Sequence, residues 1–224
     1  YVVTDYNFSW IELLDFWSRH PGRDDDGLLQ RHWPALCRIL NRFDRDRAAD
    51  GLIRSQPGRR LFLDWSPMDR SEPNLTYNLR YLHALQLAEG LGAGLSAAET
   101  AVFSERAARL AGCIRATHLT AAGWRESPLG APASQLALSL LILAGLVAST
   151  EADALAEAII ARSLDIDDSS PPEKLILASP FMHHYVFKAL HALGRTAAIR
   201  EIIACRWGRW AKAGEATTWE NWSI

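Results

Sequence analysis

The sequence predicts an all-α chain built from successive helical hairpins, on three observations. Apolar residues recur at helical spacing along most of the 224 residues, and no strand-type alternation lasts. The connections between helices alternate strictly, short then long. Breakers and a capping pair fall where helices should begin or end.

The first two helices are expected near 6–20 and 28–44, the second with Pro34 in its first turn. A third near 74–91 runs to Gly92, a stop or a close contact. A fourth near 97–118 opens on Ser96 three residues ahead of Glu99, a capping box, and has an amphipathic pattern. The fifth, near 132–148, is apolar nearly all round, as an inner helix would be, and holds Gly145 near its end. The sixth, near 151–164, follows after a short connection. A seventh near 179–193 carries Pro180 in its first turn and stops at Gly194, and an eighth spans 196–212. Connections near 21–27, 92–96, 149–150 and 194–195 are short, so each pairs two antiparallel helices. Those near 45–73, 119–131, 165–178 and after 212 are long. A curved or closed array of hairpins would carry all the long loops on one end, the usual place for a site.

Composition narrows the partners. A formal net charge of −2 and scattered arginines, as in Arg42-Phe43-Asp44-Arg45-Asp46-Arg47, give no nucleic-acid footprint. Cys37, Cys113 and Cys205 are odd in number and far apart, without metal or disulfide spacing, and read as reduced core residues. The longest apolar run, 136–148, is too short to span a bilayer. No signal-peptide pattern opens the sequence, but position 1 is not Met, so the compartment stays open with cytoplasm favoured. No nucleotide-binding glycine loop, zinc motif or nucleophile elbow occurs, and neither cofactor nor metal is expected.

The chemistry-bearing residues lie in the long loops and the tail. Asp64-Trp65 sets an acceptor beside a stacking face, enough to hold a sugar hydroxyl or, alternatively, to cap a turn and plug a rim. Asp69 and Glu72 are further acids with Arg70 close by to neutralise either. The second loop holds Trp124, then Gln135 at the start of an inner helix, where it could bind a ligand or cap. The adjacent His183 and His184 point to different helix faces, which disfavours a shared metal ion. In the tail, Thr217-Thr218-Trp219-Glu220-Asn221-Trp222 places a carboxylate between two indoles, suited to acid/base work on a stacked sugar.

Taken together, these segments resemble the bacterial α-L-rhamnosidases of glycoside hydrolase family 78. Asn7-Phe8-Ser9-Trp10-Ile11-Glu12 with Asp15-Phe16-Trp17 looks like the family's aromatic helix, although the turn expected after it is altered to Ser18-Arg19-His20-Pro21-Gly22-Arg23. Asp50-Gly51-Leu52-Ile53 with Phe62-Leu63-Asp64-Trp65, then Ser134-Gln135, Pro180-Phe181-Met182 and Gly214 to Glu220 follow in the family's order. The resemblance implies an (α/α)6 toroid, here incomplete, with about four of six hairpins in a single partial catalytic domain, 1–224. It implies hydrolysis with inversion, using two carboxyl groups roughly 6.5–9.5 Å apart. Glu220 would be the base, and Asp64, Trp65, Trp124 and Trp219 would hold a rhamnosyl glycoside or polysaccharide. The general acid would precede Tyr1, so little turnover is expected of these residues alone, and open toroid edges would favour a homo-oligomer. Another six-hairpin glycosidase, or a degenerate barrel that binds carbohydrate without turnover, is the alternative.

Overall fold

The computed structural model describes residues 2–20, 27–95, 97–169, 171 and 174–222. Among these are eight helices: α1 (Tyr6–Ser18), α2 (Leu28–Arg45), α3 (Leu75–Leu95), α4 (Glu99–His118), α5 (Gln135–Leu143), α6 (Ser149–Leu164), α7 (His183–Ala192) and α8 (Thr196–Ala213). The all-α expectation and the alternation of short and long connections both hold. Ser96 and the altered turn at Pro21, Gly22 and Arg23 lie outside the described residues.

Three details differ from expectation. Pro34 sits inside α2, where its ring removes an N–H from the helical ladder. The fifth helix is shorter than 132–148. The Ser134 hydroxyl caps it by accepting from the Ala137 N–H at 3.2 Å, and Gly145 ends it in the left-handed region at φ 65°. Pro180 lies in a turn ahead of α7, whose first residue is His183. Four two-residue strands also occur: β1 (Val2–Val3) with β2 (Arg59–Arg60), parallel, and β3 (Leu119–Thr120) with β4 (Gly123–Trp124), antiparallel. They are too short to leave an alternating pattern.

The chain falls into two compact units, one of residues 1–63 and 72–117, the other of 64–71 and 118–224. In the first, α1 packs on α2 and α3 around Phe8, Phe43, Tyr77 and Tyr81. Burial pushes both tyrosine hydroxyls up, so they stay neutral. Gly92 of α3 lets Trp33 approach: a Cβ there would stand 2.7 Å from the Trp33 ring and 2.5 Å from Thr100 Oγ1. The centre of this unit is ionic. Asp5 and Arg80, both fully buried, pair at 2.6 Å, while the Asp5 carboxylate also accepts from the N–H groups of Phe62 and Leu63 at 2.9 and 3.0 Å.

In the second unit α5 packs on α6 and α7, and α8 packs on α6 and α7. From Gln135 to Ile142 every residue of α5 is buried, as the all-round apolar pattern requires. Cys37 is buried, whereas Cys113 and Cys205 are only partly so; all three are free thiols. Burial raises the Cys37 thiol to about 11, and it stays protonated at neutral pH.

Breaking the Asp5–Arg80 pair from one side leaves a buried charge uncompensated. Arg80→Met is expected to destabilise the protein by about 3–5 kcal/mol. Urea unfolding of that variant beside Asp5→Asn/Arg80→Met measures it, and the double variant should recover part of the loss.

Candidate functional site

Four segments distant in sequence converge within the second unit: 64–71, the loop after α4, the loop before α7 and the tail after α8. Asp64 joins two of them. Its side chain is 1% exposed; Oδ1 accepts from the Trp65 N–H at 2.7 Å and Oδ2 from the Ser179 N–H at 3.0 Å. Arg70 donates to the carbonyls of Asp64 and Ser66 at 2.6 and 3.3 Å, which closes the loop on itself. Asp69 accepts from the Ser127 hydroxyl at 2.6 Å and tethers the loop after α4. That hydroxyl and the Ser71 N–H outweigh the effect of partial burial and hold its carboxyl below the ordinary value. Glu72 belongs to the first unit, where it accepts from the Ser55 N–H.

So fixed, Trp65 stands 45% exposed and its indole N–H donates to Glu220 Oε2 at 3.0 Å. The two residues are 155 positions apart in sequence. Glu220 is exposed and is not enclosed by its flanking indoles: Trp219 is 40% exposed, while Trp222 turns inward. Glu220 Oε1 has no hydrogen bond among the described residues. Beside this pair lies a cavity of about 340 Å³ walled by Trp65, Ser66, Pro67, Asp168, Leu177, Ser179, Asn221 and Trp222. An open carboxylate oxygen next to exposed indole faces can take a proton from a hydroxyl or water and stack an apolar ring face.

The tail is held from beneath. The Glu215 N–H closes α8 onto the Trp210 carbonyl at 3.0 Å. Trp222 donates to the Ala178 carbonyl at 2.7 Å, stacks on Trp210 with ring centroids 5.3 Å apart, and covers the guanidinium of Arg206 at 4.8 Å. Arg206 is fully buried, donates to the Ser163 carbonyl at 2.6 Å and pairs with Asp168 at 2.6 Å. Asp168 also pairs with Arg209 at 3.2 Å.

The other expected residues lie elsewhere. Trp124 is buried and donates to Glu151 Oε1 at 3.0 Å; it does not wall the cavity. Gln135 is a buried cross-link, not a ligand group: Nε2 donates to the Ile159 carbonyl and the Ser163 hydroxyl, and Oε1 accepts from the Ala178 N–H. His184 is exposed, whereas His183 is fully buried between Trp207 and Trp222, with Nδ1 3.0 Å from the Ser179 carbonyl. Asp168, Ser179 and Arg206 were not anticipated. No spacing marks them: Asp168 and Ser179 reach the cavity wall from the connection between α6 and α7, and Arg206 supports Asp168 from α8.

Residues 16–224 match the family described as the bacterial alpha-L-rhamnosidase six-hairpin glycosidase domain. Among solved structures, the chain is similar to a family 78 rhamnosidase of Bacillus sp. GL1, at 24% identity and a TM-score of 0.80, covering 98% of this chain and 23% of that one. It is similar to a rhamnosidase from Klebsiella oxytoca with rhamnose bound, at 18% identity and 0.79, covering 98% and 40%. It is also similar to an α-L-rhamnosidase of Streptomyces avermitilis complexed with L-rhamnose, at 18% and 0.69, covering 92% and 19%. At these identities the likeness establishes the fold, and the chain spans less than half the length of each relative. A comparison with curated protein sequences gives no significant match.

His183 makes this layer acid-sensitive. Burial pushes its imidazole down to about 4, with the Arg206 guanidinium adding to the effect against the hydrogen bond to Ser179. The unfolded chain therefore binds the extra proton first. Stability contributed by the neutral ring is complete above about pH 6.5 and falls as pH drops toward about 4, by about 3 kcal/mol. Urea unfolding at about pH 4.5 and 7.5 should show a smaller difference for His183→Phe than for the parent; an equal difference would remove His183 as the cause.

Proposed function

The chain belongs to the bacterial α-L-rhamnosidase six-hairpin glycosidase family, and we propose that it carries the base and sugar platform of an inverting glycosidase for terminal α-L-rhamnosyl residues. The observation that carries this reading is the hydrogen bond from Trp65 Nε1–H to Glu220 Oε2. It fixes the carboxylate's orientation and leaves Oε1 open toward a nucleophilic water. In the reaction, Oε1 takes a proton from that water as its oxygen attacks the anomeric carbon. The glycosidic C–O bond breaks, and a second carboxylic acid protonates the departing oxygen, giving the inverted sugar and a free alcohol.

The exposed faces of Trp65 and Trp219 are the proposed platform for the apolar side of the 6-deoxy ring, with Asp64 holding Trp65 in place. Trp124, buried and bonded to Glu151, is assigned to the scaffold. Asp168, the carboxylate in the cavity wall, is an unsuitable acid. Both of its oxygens are engaged in ion pairs with Arg206 and Arg209, which assigns it to the scaffold. The acid is therefore taken to come from elsewhere, and residues 1–224 alone should turn over little, since a positioned acid contributes ~10²–10⁴-fold.

The test is hydrolysis of an aryl α-L-rhamnoside by the longest natural form of the protein, with the anomer first released read by NMR. Inversion is expected. Glu220→Gln should lower kcat by ~10²–10⁴-fold with an unchanged Tm, because the side chain is exposed. A comparable fall in Tm would make Glu220 structural, and an unaltered kcat would exclude it as the base. Trp65→Phe keeps a ring but removes the N–H. It should lower kcat by about tenfold, the weight of one hydrogen bond of about 1.4 kcal/mol, and full activity would remove this bond from the mechanism.

A further inference from the structure

We propose that Ser66 and Asn221 read the ring hydroxyls of the transferred sugar, an assignment that rests on the glycosidase reading for its choice of ligand. They directly follow Trp65 and Glu220, the two residues whose hydrogen bond fixes the carboxylate. Both wall the cavity of about 340 Å³ beside that bond, a volume in the range of small-ligand sites. Apart from its indoles, the wall has four polar residues, and two of them are committed to the scaffold. Asp168 pairs with Arg206 and Arg209 at 2.6 and 3.2 Å. Ser179 gives its N–H to Asp64, and its hydroxyl accepts from the Met182 N–H at 3.3 Å.

The other two are uncommitted. Asn221 is exposed, and its amide makes no hydrogen bond among the described residues. Ser66 gives its carbonyl to Arg70, but its hydroxyl has no partner among them either. The residue is only 6% exposed, yet its hydroxyl is not one of the unpartnered atoms sealed from the surface. A neutral amide sets a donor beside an acceptor, which matches two neighbouring hydroxyls, and a serine hydroxyl can play either part. Between them the wall is apolar, with Trp65, Pro67 and Leu177. Such a surface suits a sugar ring, which has carbon faces and a hydroxyl edge. Stereochemistry selects which sugar. In an inverting displacement the base acts on the ring face opposite the departing oxygen. Groups beside Glu220 therefore meet the sugar being transferred and not the leaving group.

The test pairs protein groups with sugar hydroxyls. Ligand-observed NMR titration of the longest natural form compares L-rhamnose with the derivatives that each lack one ring hydroxyl, for the parent, Asn221→Ala and Ser66→Ala. Each substitution should weaken L-rhamnose about three- to tenfold, the weight of one neutral hydrogen bond. That loss should vanish for the derivative without the hydroxyl concerned. Both variants should keep the parent Tm, since neither side chain bonds to the fold. Unchanged affinity for L-rhamnose, or equal losses across all the derivatives, would overturn the assignment. Turnover of an aryl α-L-rhamnoside separates this failure from that of the glycosidase reading. A parent that binds L-rhamnose through these groups without hydrolysing the glycoside refutes the base and leaves the recognition standing. Hydrolysis with KM unaltered in both variants refutes the recognition and leaves the base standing. A rise in KM confined to substrates whose leaving group is itself a sugar would move both residues to the leaving-group side and likewise overturn the proposal.

Discussion

A carboxylate buried beneath a loop needs hydrogen-bond donors on its oxygens, and Asp64 meets this need with the backbone of two segments 115 residues apart. One oxygen closes the turn into Trp65 and the other takes the N–H of Ser179 ahead of α7. Because both donors belong to the main chain, neither segment can shift without stranding a charge in a site from which water is excluded. Everything else in the second unit's cavity follows from that constraint. Trp65 projects because its own N–H is held, and Glu220 has a fixed direction because Trp65 projects. The exposed carboxylate thus inherits its geometry from a buried one.

Beneath it, arginine does the work that water would do elsewhere. Arg206 satisfies carbonyls at the end of α6 and pairs with Asp168, while its flat face carries Trp222. Arg162 plays the same part for the connection after α6, donating to the carbonyls of Leu175, Asp167 and Ser169 at 2.8, 2.9 and 3.0 Å. A long irregular loop is thereby ordered through its carbonyls. Guanidinium suits this because its donors are spread in a rigid fork.

How much of this was legible depends on the scale of each signal. The helices could be read because burial of one face repeats over many turns; α5, buried on every side, shows instead as a continuous apolar run, which marks the helix but not its ends. The Asp64-Trp65 pair and Glu220 stood out because polar and aromatic residues sat in loops without a packing reason to be there. Gln135 was ambiguous from sequence, since a polar residue entering an inner helix is equally compatible with a ligand and with a cross-link; only its three buried partners decide. Trp124 was ambiguous for the same reason, as an indole in a loop does not reveal which way it faces. Arg206 looked like any surface arginine on an amphipathic helix, and the loop it supports has no periodicity to place it. Pro34 suits a helix start by its missing N–H, yet burial of Trp33 before it and Leu36 after it carries α2 through it.

Leu63 has a more unusual position. It is 1% exposed and adopts φ 58°, a left-handed conformation that suits glycine, with its N–H given to Asp5. Glycine would relieve a backbone cost of about 1–2 kcal/mol but leave a hole costing about 2–5 kcal/mol. Alanine would keep the cost and make the hole. For a lineage drifting by single substitutions, the residue ahead of the Asp-Trp pair loses by a change to either small residue, held by the conflict between what the backbone prefers and what the core requires.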